Sequence, residues 1–600
     1  MNKKISTSLG LSLLIATNIY SADKLETITV TSATKSTQSI KDVTSSIEVI
    51  TSEQIEERQF TDLTQALNSV AGISFTSNGG LGQTSFVRIN GAHYSNVLVL
   101  IDGIRYNDIT NGSAFPQNIL ITDIKQIEII KGAQSGIWGA DASAGVINII
   151  TKDSKDGFHG TINTEYGSYN TKKYGVSVSL KEDNYYAKLN SQRVISDGFS
   201  AQAPRGVDLD SLEDDSYKNT TLSLKTGFNI DDANKIDLSH TIIDSESEYD
   251  SDVYVGFTKD LVASANSDSM VKSKSKFSKI NFNHVDSFND FDIYASKSTF
   301  DRRANTTEYL GDIKDYGIKS NIKYNKQDFV VLGSDRKEFA QKDSTNRDYT
   351  NNGFFLTNSN HFLNSIFTQS LRYDKYSNFD DKVTGKIGIK HFYNNFIFSS
   401  NYGTGYKVPT MNNLYNLTYG NENLKPESTK SFDILTKYKN FEIRYFKNKI
   451  VDRIDYESSS PYQFKNHEGT SIIKGYELNY NKNIQEDTLL SLTYTYTSAK
   501  DKDGKRLLRV ANRNLKFGLD YYGIGKLHLN VNGEYIGNRK DISNIQTGNY
   551  TVWNSVMNYE INKTFSTYLK VDNLFNKYYQ TIDGYATAER SAYVGLKATF

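Results

Sequence analysis

The chain contains no cysteine in its 600 residues, which excludes both a disulfide framework and a thiol nucleophile. Lys plus Arg and Asp plus Glu each number 69, so no net charge draws the chain towards nucleic acid. Behind the first 22 residues no apolar run reaches about 18 residues, so the sequence has no membrane-crossing helix, and any membrane assignment must rest on alternating strands. Catalytic signatures are missing as well. There is no G-x-S-x-G elbow, and His467-Glu468 lacks the second histidine of a zinc protease. The glycines at Gly79, Gly80 and Gly82 are not followed by the Lys-Ser or Lys-Thr of a phosphate loop. These absences together point away from an enzyme.

What is present starts with a leader. Lys3 and Lys4 precede an apolar segment from about residue 9 to 19, and Ser21 and Ala22 follow, which reads as a secretory signal over residues 1–22. The densest apolar runs of the mature chain lie at 97–103 (VLVLIDG), 127–132 (IEIIKG) and 145–152 (GVINIITK). Each is short, rich in Val and Ile, and stopped by Gly, Asp or Lys, so each reads as a buried strand of a small globular core. Gly132, Gly136, Gly139 and Gly145 supply tight turns between them. Ahead of them a strand at 45–51 runs into two helical patterns, SEQIEERQ and TDLTQALNSV, for which Ser52 and Thr61 are the expected N-caps and Gly72 the expected stop. A mixed α/β unit over 35–155 is the expectation.

From residue 156 to 600 the pattern changes. Tyr174, Val176, Val178 and Leu180 alternate with Gly175, Ser177 and Ser179, and Leu490, Leu492, Tyr494 and Tyr496 alternate with Ser491, Thr493 and Thr495. Such two-faced strands meet either a second sheet or lipid. Length separates the two, since roughly 445 residues exceed one sandwich yet give about 20 residues to each of about 22 strands, the count of a plugged membrane barrel. The 41 tyrosines suit interfacial girdles. In the last strand Ala592, Val594, Leu596, Ala598 and Phe600 form one apolar face, so Lys597 should turn to the lumen.

The succession VLVLIDG, then IEIIKGAQSGIWGADASAGVINIITK, resembles the plug domain of TonB-dependent outer-membrane receptors. Residues 403–434, with Pro409, Leu414, Asn423, Leu424, Pro426 and Glu427, resemble a barrel motif of the same family, and the terminal Phe600 resembles a signal read by the barrel assembly machinery. The C-terminal NLF, YY, GY and TAxR elements are similar to the cobalamin (vitamin B12) receptors of that family. The resemblance implies a plug inside a transmembrane β-barrel surrounded by outer-membrane lipid. It also implies import of a corrinoid driven by TonB and its inner-membrane energising complex, with no nucleic-acid partner. A haem or ferric-siderophore receptor is the nearest alternative, and a passive porin or adhesin a more distant one.

Site residues follow from the same resemblance. Glu26, Thr27, Ile28, Thr29, Val30 and Thr31 look like the TonB box, in a segment (23–34) expected to be mobile until a partner adds a strand to it. Ligand contacts are implied at Thr84, Phe86, His93, Thr110, Asn111, Arg509 and Asn544. His93, a lone histidine with no partner, reads first as a polar loop residue and second as a ligand for haem iron or cobalt. Asn90 stands where the family usually has Arg before Gly91, with Arg88 two residues away. The acidic run at 206–217 reads by itself as a solvated loop, and beside the later SEYDSD as a set of hard oxygen donors suited to calcium. The resemblance implies calcium ligands at Asp197, Glu213, Asp215, Tyr249 and Asp250.

Overall fold

The computed structural model describes residues 28–255, 258–457 and 460–600. From Gly157 on, 22 antiparallel strands form a closed barrel, with each strand paired to its neighbour in sequence. The first, Gly157–Gly167, closes on the last, Ser591–Thr599, in the register Thr161 to Thr599 through Gly167 to Tyr593. Closure leaves no strand edge unpaired. Alternation decides which way each side chain points. Ile162, Val176, Leu189 and Leu596 face outward and are 43–50% exposed, while Glu165, Lys173, Lys188 and Gln192 are buried on the inner side. Lys597 also turns inward, where its Nζ donates to Glu56 at 2.8 Å.

Turns at one end of the barrel are short, such as 182–184 and 286–288, whereas loops at the other end run as long as 197–216 and 573–590. In outer-membrane barrels the long loops are the external ones. The wall is uneven in height. Ser269–Val285 and Thr307–Lys323 are 17 residues each, whereas Leu527–Ile536, Phe565–Asp572 and Ser591–Thr599 have 10, 8 and 9. Among the described residues no helix is long and apolar enough to cross a membrane.

The plug fills the lumen. Its sheet has the order β3-β8-β9-β6-β7, formed by β3 (Ile47–Thr51), β6 (Val97–Ile101), β7 (Ile104–Arg105), β8 (Ile124–Lys131) and β9 (Gly145–Thr151). The three Val/Ile runs are its central strands. Every residue of β6 is buried, and Ile127, Ile129, Ile147 and Ile149 join the core. A hairpin of β4 (Ile73–Ser77) and β5 (Ser85–Ile89) rises towards the long-loop end.

Two helices, α1 (Ser52–Arg58) and α2 (Leu63–Asn68), have N-caps one residue away from the expected ones. The N-cap of α1 is Thr51, not Ser52, because the extended Thr51 backbone aims its side chain at the Gln54 N–H while Gln54 reaches back to complete a capping box. For α2 the cap is Asp62, not Thr61, with its carboxylate accepting from the Gln65 N–H. This helix also stops earlier than expected. It ends at Asn68, and Gly72, at φ +66°, instead turns the chain into β4. A last short helix, α3 (Ser135–Trp138), packs against the wall formed by the strands Ser365–Tyr376, Lys382–Tyr393 and Phe396–Lys407.

The expectation of a free N-terminal segment is corrected from Ile28 onward. Thr29–Val30 (β1) pairs with Gln38–Ser39 (β2), and Ile28, Val30 and Ala33 are buried against Val43, Val49 and Ile130. The physical reason is one carboxylate: Glu128 of β8 accepts from Thr31 N (3.1 Å), Ser32 N (2.8 Å) and the Ser32 hydroxyl. Gln126 Nε2 donates to the Thr29 carbonyl, and Trp138 Nε1 to that of Ser32. The segment has found its partner inside its own plug. The leader and the box residues Glu26 and Thr27 lie outside the described residues.

Candidate functional site

At the long-loop end, β5 sorts its side chains by alternation. Val87 and Ile89 enter the plug core, whereas Phe86 and Arg88 share the opposite face. The Phe86 ring lies 4.8 Å from that of Tyr94, which lies 4.0 Å from the His93 imidazole. His93 is exposed, with Nδ1 2.7 Å from the Ser95 hydroxyl. Arg88 is nine-tenths buried, and its Nε has no hydrogen-bond partner. Burial pulls its pKa down to about 10, and the positive charges of Arg509, Arg453 and Arg539 act in the same direction. Those three arginines come from separate barrel loops and strands. Arg509 pairs with Asp541 at 2.7 Å, and Arg453 with Asp455 at 2.6 Å. Arg539, 2% exposed, is held by the Thr547 and Gln580 carbonyls, with no ion pair among the described residues.

Beside this cationic, ring-lined floor is a cavity of about 460 Å³, walled by Thr84, Tyr249, Asp250, Arg302, Tyr309 and Tyr585 among others. The Arg302 guanidinium sits 5.2 Å from the rings of both plug Phe115 and barrel Tyr309. Of the expected ligand contacts, Thr84 lines this cavity, whereas Phe86, His93 and Arg509 belong to the floor beside it; floor and cavity together make up the external vestibule. Thr110 does not present itself there. It is 1% exposed, and both its N–H and its hydroxyl are turned to Asp108, at 2.7 and 2.8 Å. Asn111 is half-buried and accepts from Ser113 N, and Asn544 is exposed at the tip of a loop, at φ +63°. Tyr94, Arg453 and Arg539 were not singled out from the sequence, because nothing local marks them. They converge only when the barrel closes.

Two loops bring acids together. Carboxylate oxygens of Glu213, Asp215 and Asp250 lie within 4.8 Å of one another. Asp215 accepts from Ala201 N (2.6 Å), and Asp250 from Gln202 N (2.6 Å) and the Ser200 hydroxyl (3.1 Å). Asp250 Oδ1 and Glu213 Oε1 are buried with no donor at all. Desolvation first, and then the facing carboxylates, push the Glu213 and Asp215 carboxyls up to about 8. Orphaned hard oxygens in such a cluster fit a divalent cation such as calcium. Tyr249 precedes Asp250 on the cavity wall. Asp197 is not brought to the cluster. It is exposed and accepts from Asn170 Nδ2 at 2.9 Å.

Comparison with known proteins settles the family. The description "TonB dependent receptor-like, beta-barrel" matches residues 150–574, and "TonB-dependent Receptor Plug Domain" matches 39–146. The chain is a TonB-dependent receptor. Such receptors are transport proteins rather than enzymes, interact with TonB, and reside in the bacterial outer membrane. Solved structures with the same fold include a mutant of the ferric enterobactin receptor PfeA of Pseudomonas aeruginosa in complex with enterobactin. It has a TM-score of 0.80 and 16% identity, with 92% of this chain and 99% of that one covered. The siderophore receptors PirA and PiuA of Acinetobacter baumannii give TM-scores of 0.79 and 0.74 at 16% and 17% identity, with 92% and 97% of this receptor and 98% and 99% of theirs covered.

Proposed function

We propose that this receptor imports an anionic iron chelate of the siderophore class, bound in the external vestibule and drawn to the periplasm by force transmitted through TonB. Arg88 carries the reading. A buried guanidinium without a counter-charge is costly, and a ligand that brings anionic oxygens offsets that cost. The Phe86, Tyr94 and His93 rings beside it favour a chelate with aromatic groups. The solved structures of like fold include siderophore receptors, which supports the class. TonB would grip by adding a strand to the segment around Ile28, Thr29, Val30 and Thr31.

The test is binding to purified protein, followed by quenching of intrinsic fluorescence, with ferric enterobactin, haemin and cyanocobalamin as probes. Ferric enterobactin should bind tightest. Losing one charge-assisted bond of about 1.5–3 kcal/mol, Arg88→Gln should weaken it about 10- to 150-fold. The same substitution should raise plug stability, because it removes an unpaired buried charge. Unchanged affinity in Arg88→Gln, or tighter binding of cyanocobalamin, would refute the reading.

A corrinoid with calcium-ordered loops is the second reading, favoured by the Glu213, Asp215 and Asp250 cluster. Calcium at that cluster is proposed under either ligand, since it would tie the 197–216 loop to the 250–268 loop beside the vestibule.

A further inference from the structure

The two sides of the plug meet the barrel in unlike ways. On the α3 side the contact is a seam. A Cβ added at Gly136 would stand 3.0 Å from the Gly385 Cα, and one at Gly405 would stand 2.9 Å from the Ser143 Cα, so backbone lies against backbone with no room for side chains or water. One barrel lysine is buried in this seam and a second half-buried. Lys386 Nζ donates to Gln134 Oε1 at 2.9 Å, and Lys390 Nζ to the Lys41 and Val43 carbonyls at 2.6 and 3.1 Å.

On the α1–α2 side a cavity of about 380 Å³ separates plug from wall. It extends from Tyr579 and Glu589, under the 573–590 loop, to Glu57 and Asp520 deeper in the lumen, past Ser491 and Asn532 on the wall. The ties across it are the tips of long side chains. Asn68 Nδ2 donates to Glu534 (3.0 Å), Arg58 to Asp520 (3.0 Å), and Lys516 Nζ to the Val70 and Ile73 carbonyls (2.7 and 2.8 Å). Each such bond is worth about 0.5–3 kcal/mol net when water can replace it, and the cavity places water-sized space beside all of them. Parting the seam has no such exchange available.

We infer that the passage for cargo opens between the α1–α2 face of the plug and the strands from Thr488–Lys500 to Tyr550–Glu560, with the plug staying anchored along the α3 seam. This rests on the import reading for its purpose but not for its test, which needs no cargo. The absence of native cysteine makes engineered thiols unambiguous. In Ala133→Cys/Gly403→Cys the two Cβ atoms stand 3.6 Å apart, within disulfide reach. The added Cβ at Gly403 stands 2.9 Å from the Ala133 carbonyl oxygen, so the backbone there must give by a few tenths of an ångström, and oxidation then locks the seam. In Asn68→Cys/Glu534→Cys a short bis-methanethiosulfonate bridges the cavity side.

Each variant is placed in planar bilayers, and urea is added on the short-turn side to loosen the plug. Ion current is then compared before and after reduction. Locking the seam should leave the urea-opened current in place, and bridging the cavity side should abolish it until reductant is added. Ser491→Cys should lose its current when a bulky thiosulfonate is attached, without any second thiol. Current that survives the cavity bridge, or that is lost on locking the seam, overturns the inference. A failure here leaves the ligand assignment untouched, because that is read by chelate binding alone.

Discussion

Replacing Glu477 by Ala tests how charge holds the plug. Glu477, on the barrel strand Phe464–Gln485, is 1% exposed and accepts from plug Lys131 at 2.8 Å and from barrel Arg444 at 3.0 Å. Truncation strands two cations. Removing one partner of a buried pair costs about 3–5 kcal/mol. The lower end applies, because Lys131 keeps Glu48 at 3.5 Å and Arg444 keeps Asp433 at 3.9 Å. About 3 kcal/mol is about a 150-fold shift in plug docking. With a urea slope of about 2 kcal/mol per molar, that becomes a midpoint lowered by about 1.5 M. The chain has two tryptophans, so a Trp553→Phe background leaves Trp138 as a reporter within the plug. Barrel integrity is followed separately, by heat-resistant migration in gels. Adding Lys131→Met to Glu477→Gln removes the pair together and should return stability to within about 1 kcal/mol of the parent. An unmoved midpoint in Glu477→Ala, or a double variant no better than the single, would show that packing and not this charge node holds the plug.

Glu128→Ala should release the N-terminal segment, because three donors from Thr31 and Ser32 lose their acceptor. Losing about 2–3 kcal/mol of charge-assisted bonding predicts amide exchange at Thr31 and Ser32 accelerated by about 30- to 150-fold, read by hydrogen–deuterium exchange. Asp215→Asn with Asp250→Asn should abolish calcium-dependent protection of residues 197–216 and 250–268 in the same experiment, with the barrel strands unchanged. Val594, 57% exposed on the outer face, should tolerate Leu but lose about 2–4 kcal/mol of folding stability in lipid vesicles as Arg.

Much of the architecture was readable because period-2 alternation survives in nearly every barrel strand. Lys597 could be aimed inward from its neighbours Val594, Leu596 and Ala598 alone. The plug sheet was readable from three Val/Ile runs that are buried on both faces. Features that depend on distant partners were not. The docking of Ile28 and Val30 hangs on Glu128, about a hundred residues away, and no local composition announces it. Asp197 shares the acidic character of its loop, yet backbone geometry turns it to Asn170, whereas Glu213, Asp215 and Asp250 do converge. The cationic floor is the extreme case. Arg509 and Arg88 stood out only through the family resemblance, Arg453 and Arg539 not at all, and the four become a site only by closure. Asn90 shows the reverse. Where an arginine was expected, the Glu477 node beside it has its guanidinium from the barrel, as Arg444, opposite plug Lys131.

The unequal strand lengths give the mouth an orientation. At about 3.4 Å per residue and a tilt near 40°, 17-residue strands rise about 44 Å and 8- to 10-residue strands about 20–26 Å, against an apolar belt of about 25 Å. One flank is thus a hydrogen-bonded parapet standing well clear of the membrane, and the other ends near the lipid headgroups. There the rim is built from the 537–549 and 573–590 loops, the first of which carries Arg539 and Asp541. A ladder of paired strands bends only as a unit, while loops reshape at little cost. Adaptation to a differently shaped cargo is therefore cheapest in loops, and on the low flank these form the whole of the rim, so reshaping there leaves the wall that faces it undisturbed.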